Sequence, residues 1–162
     1  MDVEMRIRGL MMDPNTNMPI VILKDVNSDT VLPIWVGLYE AQAIHVEFEK
    51  ISGPRPLTHD LAKNIINYMN GKLERVVITE LKDDTFYAVL WLTQDGEAMT
   101  IDARPSDAIA LALRADCPIY VAEPVLAIAR LNPTGPPDNP TAKDLRDWLE
   151  GLNDEDLGRY KM

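Results

Sequence analysis

Four short clusters of turn-forming residues restrict the fold of this chain more than any other feature. Asp13-Pro14-Asn15-Thr16-Asn17, Asn27-Ser28-Asp29, Lys82-Asp83-Asp84-Thr85 and Gln94-Asp95-Gly96 each separate two β-rich runs. Connections this short fold neighbouring strands back on each other as hairpins. Ahead of the first turn, Val3, Met5, Ile7 and Leu10 alternate at first with Glu4, Arg6 and Arg8, the pattern of a half-exposed strand. Residues 20–23 and 31–36 supply two more strands, and Pro33 marks the latter as an edge or a bulge. Residues 76–81, 86–92 and 98–103 read as a meander of three strands, and residues 119–121 as one short strand.

Helical periodicity fills the gaps. After Gly37, Leu38, Ala41, Ile44, Phe48 and Ile51 recur in three- and four-residue steps, so this helix is expected to bury that stripe, with His45 on its buried side and Glu40, Glu47 and Glu49 at its margins. Gly53-Pro54-Arg55-Pro56 ends it. Thr58 is placed to cap a second helix whose inner face is expected to be Leu61, Ile65, Ile66 and Met69, with Gly71 as its stop. A third begins at Pro105, with Ser106 as the expected cap, Asp107 in the first turn, and Ile109, Leu113 and the alanines as a narrow apolar face. A short helix over 124–129 follows. The expected fold is α+β, a mixed, largely antiparallel sheet of hairpins and a meander packed against helices. It forms a single compact domain over 1–130, followed by a Pro-rich linker over 131–140. Residues 141–162 would add a short amphipathic helix through Leu145, Trp148 and Leu149 and an acidic tail.

The formal net charge of -10 argues against broad electrostatic adhesion to nucleic acid or an anionic membrane, so a phosphate ligand would need a local cluster of Arg. A single Cys117, followed by Pro118, reads as a small core residue rather than a reactive thiol. No apolar run reaches the ~20 residues of a spanning helix, and the start Met1-Asp2-Val3-Glu4 is acidic where a signal peptide is basic; the expected compartment is the cytoplasm.

The chemistry concentrates in an echo. Arg55-Pro56-Leu57-Thr58-His59-Asp60 and Arg104-Pro105-Ser106-Asp107 each place Arg-Pro, a hydroxyl and an Asp at a helix start. If the two starts converge, their amides and guanidinium groups form a cradle for phosphate or carboxylate; otherwise each Arg pairs with its own Asp and stiffens a turn. His59, beside Asp60, suits proton transfer or metal binding, or is simply solvated. Glu40, Asp60, Asp102 and Asp107 could supply oxygen ligands to Mg²⁺ or another divalent cation. Gly-rich phosphate loops, His-Glu-x-x-His and paired Cys motifs are absent from the sequence. Trp35, Trp91 and the tyrosines read as core or interface residues rather than stacking platforms for bases.

Leu32-Pro33-Ile34-Trp35-Val36-Gly37 with Glu40-Ala41, Pro54-Arg55-Pro56-Leu57-Thr58-His59-Asp60, Thr85-Phe86-Tyr87-Ala88 and Asp102-Ala103-Arg104-Pro105-Ser106-Asp107-Ala108-Ile109-Ala110-Leu111-Ala112 together resemble the bifunctional nuclease domain family, formerly a domain of unknown function, across roughly residues 1 to 130. The resemblance implies a compact α+β domain, a homo-oligomer such as a dimer, and hydrolysis of RNA and DNA with low sequence specificity. On the matching positions, His59, Asp60, Asp102 and Asp107 are the catalytic candidates. Arg55 and Arg104, with Thr58 and Ser106, would bind phosphate, and Asp60, Asp102, Asp107 and Glu40 would hold the cation. Some relatives add a coiled-coil-like repair-protein motif, which Asp144-Leu145-Arg146-Asp147-Trp148-Leu149 is too short to match. The competing reading is a non-enzymatic oligomeric module that holds a small anionic ligand or a partner protein. No membrane partner is expected, and the acidic charge weighs against nucleic acid.

Overall fold

The computed structural model describes residues 1–131; the linker and tail expected beyond them lie outside the described residues. The order along the chain is β1 (Asp2–Met12), β2 (Pro19–Asp25), β3 (Val31–Trp35), α1 (Leu38–Phe48), α2 (Thr58–Tyr68), β4 (Gly71–Lys82), β5 (Thr85–Gln94), β6 (Glu97–Ala103), α3 (Pro105–Ala115), β7 (Ile119–Ala122) and α4 (Glu123–Leu131). The strands form one mixed sheet ordered β3-β2-β1-β7-β4-β5-β6, packed with the helices as a single α+β domain.

Turn chemistry sets the two meanders. Asp83 and Asp84 both take positive φ, and so do Asp95 and Gly96, so each pair makes a two-residue hairpin whose twist matches its strands. Asp13 and Asp25 organise the earlier turns through their carboxylates. Asp13 Oδ1 accepts the Asn15 amide at 2.9 Å, and Asp25 Oδ1 accepts the Asn27 amide at 2.8 Å. Asp13 is fully buried because its other oxygen also accepts from Trp35 Nε1, at 3.3 Å. β3 lies at one edge, which is how Pro33 is accommodated.

The short β7 joins the meanders. It pairs antiparallel with β1 and parallel with β4, with Ile119 opposite both Met5 and Val76. Since β4, β5 and β6 alternate in direction, β6 and β7 run parallel, and α3 is the crossover such an arrangement requires. Its alanines let it sit close: Ala108, Ile109, Ala110 and Ala112 are all buried, with α3 against β4 and β5 and both α1 and α2 against α3.

The outer helices are more open than their apolar spacing predicts. On α1 only Ala41 and Ile44 are buried, while Leu38, His45 and Ile51 are exposed, and Ile51 lies beyond the helix end. On α2 no residue is fully buried; Ile66 packs on the core, but Leu61, Ile65 and Met69 face outward. Both helices pack mainly on α3, α1 also touching β2 and α2 also touching β4, and these contacts leave much of each apolar stripe uncovered. No described helix is long and apolar enough to cross a membrane.

Candidate functional site

The starts of α2 and α3 converge. His59 Nε2 lies 2.8 Å from Asp107 Oδ1, joining residues from the two separated motifs. Asp107 Oδ2 accepts from Arg104 Nε at 2.9 Å, and Arg104 Nη1 donates to Glu40 Oε1 of α1, also at 2.9 Å. Three helices are thereby tied in one chain of charged hydrogen bonds, His59, Asp107, Arg104 and Glu40. Gly37 makes room for the last link: a Cβ there would collide with the Glu40 carboxylate.

Neither hydroxyl caps its helix as expected. Pro105 has no amide proton and a helix-compatible φ, so it takes the first helical position and Arg104 becomes the N-cap, leaving Ser106 inside the first turn and buried. On α2 the N-cap is Leu57, Thr58 is the first helical residue, and the Asp60 carboxylate turns back to accept the Leu57 amide at 2.8 Å. The two motifs are consequently not equivalent. Leu57-Thr58 separates Arg55-Pro56 from His59-Asp60, and Arg55 does not pair with Asp60 as Arg104 does with Asp107. Among the described residues Arg55 is exposed and has no ion-pair partner.

Asp60 is instead held by Arg114, whose Nε donates to its Oδ1 at 2.7 Å while Nη1 donates to the Ala110 carbonyl at 2.9 Å. The Arg114 side chain is 2% exposed, which makes it the most deeply buried cation of the site. It carries no motif, but a guanidinium following the apolar run Ala108 to Leu113 of α3 was a visible signal. Asp102 lies exposed on β6 opposite Val89 and takes no part in these contacts.

The electrostatics follow the bonds. Burial pushes the Asp107 carboxyl up, but the bonds from Arg104 and His59 outweigh it and hold the group below its ordinary value. Asp60 is lowered chiefly by the Leu57 amide; burial opposes this, and the bond from Arg114 adds to the lowering. Asp107 and then Glu40 raise Arg104. Asp60 and Asp107 are thus both held in their ionised form at neutral pH and turned on guanidinium groups. Among the described residues no three His, Cys, Asp or Glu side chains converge as a metal site requires. The four carboxylates expected to hold a divalent cation do not fit that task in this arrangement.

Beside the network, the loop over 51–57 and the three helices enclose a cleft of about 340 Å³ lined in part by Arg55, Asp60, Asn64 and Arg114. Asp60 thus shares the cleft with Arg55, which has no ion-pair partner among the described residues, and adjoins in sequence the histidine fixed by Asp107.

The sequence profile of the bifunctional nuclease domain matches residues 21–134, more than half of the chain. The chain belongs to the bifunctional nuclease domain family. An uncharacterised protein of Mycobacterium tuberculosis is 43% identical over 128 residues, covering 79% of this chain and 76% of that protein. Bifunctional nuclease 1 of Oryza sativa subsp. japonica is 33% identical over 105 residues, 63% of this chain but 32% of the rice protein. Bifunctional nuclease 2 of the same plant is 32% identical over 107 residues, covering 64% of the chain and 33% of the relative. The matches to the rice proteins therefore span only about a third of their length. The profile match takes in both helix starts of the His59–Asp107 contact.

Proposed function

We propose that this chain is a nuclease that hydrolyses phosphodiesters of single-stranded RNA and DNA with low sequence specificity. The observation that carries the reading is the 2.8 Å contact between His59 and Asp107, which joins two motifs of a bifunctional nuclease domain at a half-open surface. With Asp107 ionised, His59 donates through Nε2 and keeps Nδ1 as the proton acceptor. Nδ1 takes a proton from the attacking water as its oxygen bonds to phosphorus, and the departing alkoxide takes a proton from solvent. Arg55 binds a phosphate, while Arg104 fixes Asp107 through both carboxylate oxygens. No step is assigned to a divalent cation; cleavage measured with Mg²⁺ and with a chelator decides whether one is needed. The family resemblance also suggests a homo-oligomer, and the outward apolar residues of α2 offer the surface for a second copy.

Purified chain is expected to cut labelled single-stranded RNA and DNA. A His59→Ala variant should cut about 100-fold more slowly or worse, the usual loss for a general base. Equal rates in the two proteins would identify a contaminating nuclease.

A second reading has its own support: Arg104 is bracketed by two carboxylates, so the network can serve as a lock between helices in an oligomeric binding module. In that case His59→Ala lowers stability, and neither protein cuts nucleic acid.

A further inference from the structure

We infer that the cleft beside Asp60 is a subsite for one unpaired nucleotide of the strand, flanking the phosphodiester whose attacking water His59 deprotonates; this rests on the nuclease reading. The cleft's volume of about 340 Å³ is at the lower end of small-ligand sites. Its walls divide by chemistry. Pro54, Pro56 and Leu57 offer a stiff apolar surface, since each proline ring fixes its own φ, and such a surface suits the face of a base. Asn64 offers an amide with both donor and acceptor, the equipment for reading a base edge. Arg55 brings a guanidinium that no carboxylate occupies among the described residues, suited to the attached phosphate.

The floor is prepared in advance. Arg114 and Asp60 neutralise each other at 2.7 Å in the cleft lining, and Arg114 is already out of water, so no bare charge is left for a ligand to desolvate. The Asp60 backbone follows directly on His59, and the amide that Asp60 accepts is that of Leu57 in the cleft wall. The Leu57 wall, the Asp60 carboxylate and the catalytic histidine are thus parts of one turn. A base held in a duplex has both its faces and its edge engaged, so only an unpaired one can enter.

The probes are a fluorescent phosphorothioate-linked single-stranded DNA 8-mer, its duplex form, and adenosine monophosphate, with binding read by anisotropy or by competition. The wild-type chain should bind the single strand and not the duplex. Asn64→Ala should weaken that binding about tenfold and alter the ranking of four homopolymers. Arg55→Gln should weaken it for every sequence alike. Competition by the monophosphate at concentrations similar to the 8-mer would place the ligand as a free nucleotide and overturn the strand assignment. If Asn64→Ala and Arg55→Gln bind as wild type while RNA is still cleaved, the subsite is wrong and the nuclease reading stands. If binding follows these variants but no substrate is cut, the nuclease reading falls and the nucleotide site stands.

Discussion

At the level of single residues, the pair of Asp60 and Arg114 is asymmetric in a way that can be measured. Arg114 is 2% exposed and Asp60 is 35% exposed. Removing the carboxylate strands a buried guanidinium, whereas removing the guanidinium leaves a carboxylate that water can reach and that still accepts the Leu57 amide. Asp60→Ala should therefore destabilise the chain by about 3 kcal/mol, toward the low end for breaking a buried pair because Asp60 is partly solvated. Arg114→Met keeps most of the packed volume and should cost about half as much or less. Urea unfolding of both variants tests the order, and a larger loss for Arg114→Met would reverse the account. The partners of Arg104 and of Arg114 differ in how far they could be read in advance. Arg104 and Asp107 sit three residues apart across one helix start, so their pairing is local chemistry. Arg114 and Asp60 are separated by 54 positions and meet only because α2 packs along α3, which no spacing in the chain reveals.

At the level of elements, α2 shows what periodicity measures. Leu61, Ile65 and Met69 share one stripe, as the spacing requires, yet they are 53%, 50% and 62% exposed. A hydrophobic period reports which residues share a face and carries no information on whether the same chain covers it. The hairpins were legible because a two-residue turn acts on its own neighbours, and the edge position of β3 was legible in Pro33. The place of β7 between β1 and β4 was not, since both partners are remote in sequence. If a second copy covers the α2 stripe, Leu61→Lys combined with Ile65→Lys should halve the mass found by light scattering. The folded monomer should lose no more than about 1 kcal/mol, because the substituted side chains already face water. A wild-type chain that is monomeric at micromolar concentration would leave the stripe without this partner.

At the scale of the whole molecule, acid should loosen the joint between the helices. Asp60 and Asp107 are both held below the ordinary 3.8 in the folded chain, so between that value and their lowered ones the unfolded chain binds more protons. Their contribution to stability is complete above about pH 5 and is lost as the pH falls through the lowered range. Denaturant midpoints measured from pH 6 downward should fall, and Asp107→Asn should make the fall shallower; an unchanged slope would remove Asp107 from the linkage. Salt gives the complementary test, because the net charge of -10 opposes broad adhesion to a phosphate backbone. Arg104 is engaged by Glu40 and Asp107, and Arg114 by Asp60, so Arg55 is the main free contact at the site among the described residues. A single strand held by one or two phosphate contacts loses affinity with a slope of log Kobs against log salt of about -0.7 to -1.4. The phosphorothioate 8-mer titrated at several salt concentrations should fall in that range. A slope near zero would mean that Arg55 holds no phosphate, and one steeper than about -3 would require a run of cations, which the arrangement around α2 and α3 does not provide.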